Sequence, residues 1–158
     1  MITATHLHAM VVHFPIALLL AGFLSELISL IFKKPFFQQA GFYLLILGTI
    51  GTIASYFAGN AAGEGIEEGP LEKVMELHEQ AGTIALWLTV ITAIVYLLIY
   101  FFKYKKSWAR IVSIFLFAGV ISAIARTGYL GGQLVYKHGA GVQLALPDFS
   151  NPDNEKDE

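Results

Sequence analysis

The sequence has no cysteine, and only 14% of its 158 residues are charged. The lack of cysteine excludes disulfides and thiolate metal sites. The scarcity of charge, beside 56% hydrophobic residues, argues against a soluble domain, in which about a quarter of residues are charged. The first twelve residues also lack lysine and arginine, so the positive segment of a signal peptide is missing. We therefore expect a membrane protein that keeps its first hydrophobic segment as a span.

Four hydrophobic runs are each long enough to cross a bilayer, which takes about 20 helical residues. They predict spans at about 14–32, 42–62, 80–102 and 111–136. Backbone polar groups in lipid must be satisfied within a segment, so the runs are predicted to be helices. Four buried helices of a soluble bundle are disfavoured because the runs leave almost no polar face. The expected fold class is all-α, an integral membrane four-helix bundle formed by residues 1–146, followed by an acidic disordered tail at 147–158.

The charged residues divide between the two sides of this bundle. The loops after the first and third spans are basic, with Lys33, Lys34, Lys103, Lys105, Lys106 and Arg110. Of the 12 acidic residues, all but Glu26 fall in the middle loop or the tail. Short loops rich in lysine and arginine stay in the cytoplasm. We therefore expect a multi-pass membrane protein with both termini on the outer side, and we expect Glu26 to pair with Lys33.

All five histidines fall at the outer ends of the predicted spans: His6, His8, His13, His78 and His138. Imidazole is a common ligand of zinc, copper and haem iron, and four-helix bundles build cofactor sites from side chains on facing helices. This one-sided placement predicts a cofactor or metal site near the outer face. The alternative is that interfacial histidines simply titrate in water. On a continuous helix His8 and His13 point about 140° apart, so they would serve different centres unless Pro15 breaks the helix.

Small residues and one arginine are candidates for the walls of a haem slot. Gly51, Ser55 and Gly59 recur every four residues along the second span, and Arg126 interrupts the fourth. A bare helix face would suit a flat macrocycle, although small residues at this spacing also pack helices tightly in membranes. Arg126 could bind a haem propionate, because guanidinium binds carboxylates bidentately. Alternatively, it snorkels and pairs with an acid of the middle loop.

Four segments carry a resemblance to a known family. They are HLHAMVVHFPIALLL at the start, GNAAG after the second span, ELHEQAG before the third and GYLGGQLVYKHGAGV at the end of the fourth. Over the whole chain except the tail, the sequence resembles the bacterial membrane family called domain of unknown function 2231. The resemblance implies a four-helix protein of the bacterial inner membrane, with the histidines facing the periplasm, that is similar in plan to two-haem b-type cytochromes. Its iron ligands would be His8, His13, His78 and His138, while His6 has no counterpart.

The expected function is therefore that of a membrane-bound b-type cytochrome. It would hold one or two haem b groups near the outer face and relay electrons, rather than act as an enzyme with its own substrate. Two alternatives stay open: a copper- or zinc-binding membrane protein that uses the same histidines, and a cofactor-free structural subunit. The expected partners are the lipid bilayer, a second copy in a homodimer, and a periplasmic cytochrome c or a respiratory complex. No nucleic-acid partner is expected.

Overall fold

A computed structural model describes residues 3–63, 71–104 and 106–142 and consists of four long helices. They are α1 (Ala4–Phe32), α2 (Pro35–Gly63), α3 (Glu72–Phe101) and α4 (Ser107–His138). Each is long and apolar enough to cross a membrane. The predicted all-α, four-span fold class is therefore confirmed. The predicted tail at 147–158 lies outside the described residues.

The helices extend beyond the predicted spans at the end that carries the histidines. α1 begins at Ala4 because Thr3 caps it, its side chain accepting a hydrogen bond from the backbone N–H of His6. Pro15 lies inside α1 and neither starts nor breaks it. At about 1.5 Å per residue, helices of 29 to 32 residues exceed a hydrocarbon core of about 30 Å. The first three histidines therefore share one continuous helix.

The four helices form a ring in chain order, and each is antiparallel to its neighbours. In α1 and α2, for example, His8 contacts Ser55 while Glu26 contacts Gly41 at the opposite end. Both the start of α1 and the end of α4 consequently lie at one end of the bundle, here called the histidine end. The other end, here called the lysine end, carries Lys33, Lys34, Lys103 and Lys106.

The centre of the bundle is apolar and closely packed. Leu19, Leu45 and Phe117 are fully buried there. Gly48 brings α1 and α2 together, because a Cβ at this glycine would lie only 2.6 Å from Cγ of Leu19. Thr89 is also fully buried, and its hydroxyl donates to the backbone carbonyl one turn earlier. The core therefore separates the two ends of the bundle with a layer that leaves few polar groups unpaired.

Glu26 lies in a polar cluster near the lysine end rather than at the surface. It is 2% exposed. The hydroxyl of Ser29 is a hydrogen-bond donor and lies 3.5 Å from the carboxylate of Glu26. Arg110 on α4 donates to the same hydroxyl at 2.6 Å, which ties α4 to α1. The expected pair with Lys33 does not form, since Lys33 is exposed and ends α1 in a left-handed conformation. The physical reason is that Glu26 faces the bundle interior, beside Ser29 of its own helix and the Arg110 side chain of α4.

The α1–α2 hairpin and the α3–α4 hairpin repeat one pattern of burial. Four buried positions of α1 have buried counterparts 70 residues later in α3: Pro15 and Ala85, Leu19 and Thr89, Gly22 and Thr92, Glu26 and Tyr96. Three buried positions of α2 have buried counterparts 72 residues later in α4: Gly41 and Ser113, Leu45 and Phe117, Gly48 and Val120. Parallel repeats of this kind are related by an axis along the membrane normal. The two hairpins are therefore quasi-equivalent, although their residue types differ.

Substitution of Gly48 by alanine tests the close approach of α1 and α2. We expect Gly48→Ala to lower the free energy of unfolding by about 1–3 kcal/mol, since overpacking a tight core strains it. Gly128→Ala is the matched control, because a Cβ there meets nothing within 4 Å and alanine favours a helix. Thermal unfolding of both variants in detergent provides the measurement. Equal stability of the two variants would contradict the packing described here.

Candidate functional site

His8 and His78 face each other at the histidine end of the bundle. Their ring centroids are 6.4 Å apart, and the ring planes are 84° from each other. His8 lies on α1 and His78 on α3, which are opposite one another in the ring of helices. Among the residues that the structure describes, no other pair of imidazole rings approaches in this way. The two hairpins therefore each supply one histidine to a shared place between them.

A hydrogen bond to the neighbouring helix fixes each of these imidazoles. Nδ1 of His8 donates to the backbone carbonyl of Ser55 at 3.0 Å, and Nδ1 of His78 donates to that of Thr127 at 3.1 Å. A carbonyl oxygen only accepts, so Nδ1 carries the proton in both rings. Nε2 is then the atom with an unshared lone pair, which is the state of a metal-binding histidine. Both rings are thus prepared for the same chemistry.

A glycine makes each hydrogen bond possible. Gly59 follows Ser55 by one turn, and a Cβ there would lie 3.0 Å from Cε1 of His8. Gly131 follows Thr127 by one turn, and a Cβ there would lie 3.1 Å from Cε1 of His78. A carbonyl oxygen has two lone pairs and can accept a second hydrogen bond, but only if the ring comes close. The bare glycine backbone permits this approach in both hairpins.

The hydroxyl of Ser55 is a polar atom without a partner beside this pair. It is buried and makes no hydrogen bond among the described residues. An unmade hydrogen bond in a buried place costs about 1–3 kcal/mol. A polar group is therefore left over next to His8, where a bound group could satisfy it.

An open cleft of about 850 Å³ lies between α2 and α3 at the same end. Tyr56, Glu76 and Glu79 are among its lining residues, and Glu79 directly follows His78 in the chain. Glu79 reaches across to Gly63, where a Cβ would lie 2.8 Å from its Oε1. The histidine end is therefore open on the α2–α3 side and carries negative charge there.

Two of the four predicted ligands lie in the pair, and the other two do not. His13 is exposed, and its Nδ1 donates to the carbonyl of Ala9 on its own helix at 2.6 Å. His138 is the last residue of α4 and is also exposed. His6 is exposed, with Nδ1 2.9 Å from the hydroxyl of Thr3. The unbroken helix does place His8 and His13 on different faces, as their spacing predicted.

The remaining predicted site residues have three different surroundings. Gly51 packs against Pro15, a Cβ there lying 3.1 Å from Cβ of Pro15, which favours the alternative of tight helix packing. Ser55 and Gly59 border His8 as described above. Arg126 is exposed and lines a groove between α3 and α4, so its predicted role toward a propionate stays a prediction.

Sequence reasoning missed Gly131 and Thr127. A signal was present, because Thr127-x-x-x-Gly131 has the spacing of Ser55-x-x-x-Gly59. A leucine–histidine pair precedes each motif, and it ends at His8 in one case and at His78 in the other. The separation along the chain from His8 to Ser55 is nearly the same as that from His78 to Thr127. The repeat was hidden because the residues between these positions differ.

Comparison with known proteins identifies the family. A family model described as "Predicted membrane protein (DUF2231)" matches residues 4–144, a range that contains all four helices and all five histidines. No curated protein and no solved structure matches the chain. The predicted family is therefore confirmed, and its model supports a membrane setting.

Alanine at the two site glycines tests the arrangement of the imidazoles. We expect Gly59→Ala to displace the ring of His8 and Gly131→Ala to displace that of His78, because each new Cβ would press on Cε1 of that ring. In ¹⁵N spectra of histidine-labelled protein, each variant should move the Nδ1–H signal of its own histidine most. Gly132→Ala, where the nearest side chain is 4.0 Å away, should move neither. If both variants affected the same histidine, the assignment would be wrong.

Proposed function

The chain belongs to the membrane-protein family named domain of unknown function 2231, and from this premise we propose that it binds one haem b between His8 and His78. The observation that carries the proposal is the spacing of the two rings. Imidazoles that bind one metal ion from opposite sides, with bonds of about 2 Å and roughly 1.1 Å from nitrogen to ring centre, have centres about 6.2 Å apart. The observed separation is 6.4 Å.

The set of donors favours haem over zinc. Zinc takes three or four protein ligands, and within the described residues no three histidine or carboxylate side chains converge to hold a metal ion. Haem needs only one or two axial ligands from the protein. The unpaired Ser55 hydroxyl also suits a bound group at this place.

The residues of the chain would hold the haem in a defined way. His8 and His78 would bind the iron, one from each hairpin. The carbonyls of Ser55 and Thr127 accept from their Nδ1–H groups, which fixes ring orientation and makes the ligands more basic. When bound, haem supplies one-electron oxidation and reduction. We propose an electron carrier on this basis, not an enzyme with its own substrate.

A second haem, with His13 and His138 as ligands, stays a prediction. Both side chains are exposed and lie apart from the central pair. His138 ends α4 and His13 lies on an exposed face of α1, and exposed histidines suit a hydrated interface equally well. The proposed stoichiometry is therefore one haem per chain.

We further propose that the histidine end faces the periplasm of a bacterial inner membrane. The lysine end carries basic residues in both of its short loops, and such loops stay in the cytoplasm. Electrons would then be exchanged at the periplasmic face, with a periplasmic cytochrome c or a respiratory complex as the partner. A homodimer stays a prediction.

Optical spectra of histidine variants test the proposed haem site. The purified wild-type protein should give a Soret band and sharp α-bands after reduction with dithionite. We expect His8→Ala and His78→Ala each to lose haem or its low-spin spectrum, because each removes one of two axial ligands. His13→Gln and His138→Gln are matched controls and should keep the wild-type spectrum. A colourless wild-type protein, or a spectrum that survives His8→Ala and His78→Ala, would contradict the proposal.

Single cysteines test the proposed orientation, since the natural chain has none. Ala140→Cys lies just after α4 at the histidine end, and Ser107→Cys starts α4 at the lysine end. In intact spheroplasts a membrane-impermeant maleimide should label the first variant and reach the second only after permeabilisation. The reverse pattern would show that the histidine end faces the cytoplasm.

A further inference from the structure

A groove of about 240 Å³ runs along the surface between α3 and α4. Its lining is apolar or small except for one charged side chain, and consists of Ala81, Ile84, Leu88, Gly119, Ser122, Ala123 and Arg126. Ile84, Ser122 and Arg126 are exposed, so the groove opens to the surroundings of the bundle. In a membrane those surroundings are lipid.

Two positions of the groove carry larger side chains in the quasi-equivalent α1–α2 hairpin. The positions 72 residues before Gly119 and Ser122 hold Leu47 and Ile50 on α2, which are 51% and 60% exposed. Two large side chains thus stand on that surface of the α1–α2 hairpin. At Gly119 a Cβ would meet nothing within 4 Å, so the α3–α4 hairpin is open at the same place.

The single charge of the groove also belongs to one hairpin alone. The counterpart of Arg126, 72 residues earlier, is Ala54. The open groove and the arginine therefore occur together, at positions that hold Leu47, Ile50 and Ala54 in the α1–α2 hairpin. The looser packing of α3 against α4 opens the groove, but it does not account for the arginine.

The groove runs across the membrane along α4, which is the direction of a lipid acyl chain. Gly119 and Arg126 are seven residues apart, which is about 10 Å along α4, and the helix runs across the membrane. Arg126 lies toward the histidine end and Gly119 deeper in the bundle. From Arg110 at the lysine end to Arg126 is about 24 Å, within a core of about 30 Å. The long side chain of Arg126 can therefore snorkel to the phosphate level of the nearer leaflet.

We propose that this groove binds one anionic phospholipid of the leaflet at the histidine end. The guanidinium of Arg126 would donate to its phosphate bidentately, and one acyl chain would lie along Gly119 and Leu88. An anionic headgroup fits better than a zwitterionic one, because no carboxylate lines the groove to pair with a headgroup ammonium. This inference is independent of the proposed haem.

Native mass spectrometry of the full chain tests the proposal, with phosphatidylglycerol and phosphatidylcholine as the probes. The wild-type protein should retain one phosphatidylglycerol and hold phosphatidylcholine more weakly. We expect Arg126→Ala to retain phosphatidylglycerol about tenfold less well, as suits the loss of hydrogen bonds to a charged group. The double variant Gly119→Leu, Ser122→Ile gives the groove the side chains of the other hairpin and should also lose the lipid.

Two matched controls complete the test. Ala54→Arg places an arginine in the filled hairpin and should add no second lipid, while Lys137→Ala removes a nearby charge and should leave retention unchanged. Unchanged retention in Arg126→Ala would overturn the proposal, as would equal retention of both lipids by the wild type. An optical spectrum that shifts in Arg126→Ala while lipid retention stays the same would assign Arg126 to the cofactor instead. A loss of dimer mass in the groove variants, without loss of lipid, would identify the occupant as a second copy of the chain.

Discussion

The arrangement of side chains at the histidine end depends on one type of hydrogen bond, which each hairpin makes once. In each hairpin an imidazole Nδ1–H donates to a backbone carbonyl of the next helix, Ser55 for His8 and Thr127 for His78. Helix carbonyls are normally shielded by the side chain one turn later, and a glycine at that position removes the shield. The bond sets the tautomer, the direction of the ring and the distance between the two hairpins' histidines. With any larger residue at these positions each ring would have to shift, because a Cβ there would lie 3.0 Å from Cε1 of His8 or 3.1 Å from Cε1 of His78.

Quasi-equivalence explains why the two histidines meet. The hairpins share a pattern of buried positions, so equivalent residues face each other across the bundle axis. His8 and His78 do so at one end, while the equivalent Glu26 and Tyr96 are both buried near the other. The first pair is symmetric and suits a symmetric ligand such as a metal ion with two axial imidazoles. The second pair is asymmetric, since it consists of two different residue types, and it belongs to the polar cluster around Arg110.

The sequence predicted the fold class and family but only part of the site. Hydropathy is a strong signal, because lipid requires long apolar helices, and the four spans followed from it. The start of α1 at Ala4 was missed, since the residues beyond the bilayer are too polar to extend a hydropathy run. His13 and His138 could not be separated from His8 and His78, because exposure depends on which face of a helix packs inward. Gly131 was overlooked because its role depends on a ring contributed from another helix.

The haem content per chain is the measurement that tests the central claim most directly. A pyridine haemochrome assay on the purified protein, set against its protein concentration, counts haem b without assuming its ligands. From the proposed site between His8 and His78 we predict one haem per chain, and none when both histidines are replaced by alanine. Two haems per chain, or a haem-free protein that carries stoichiometric copper or zinc, would contradict it.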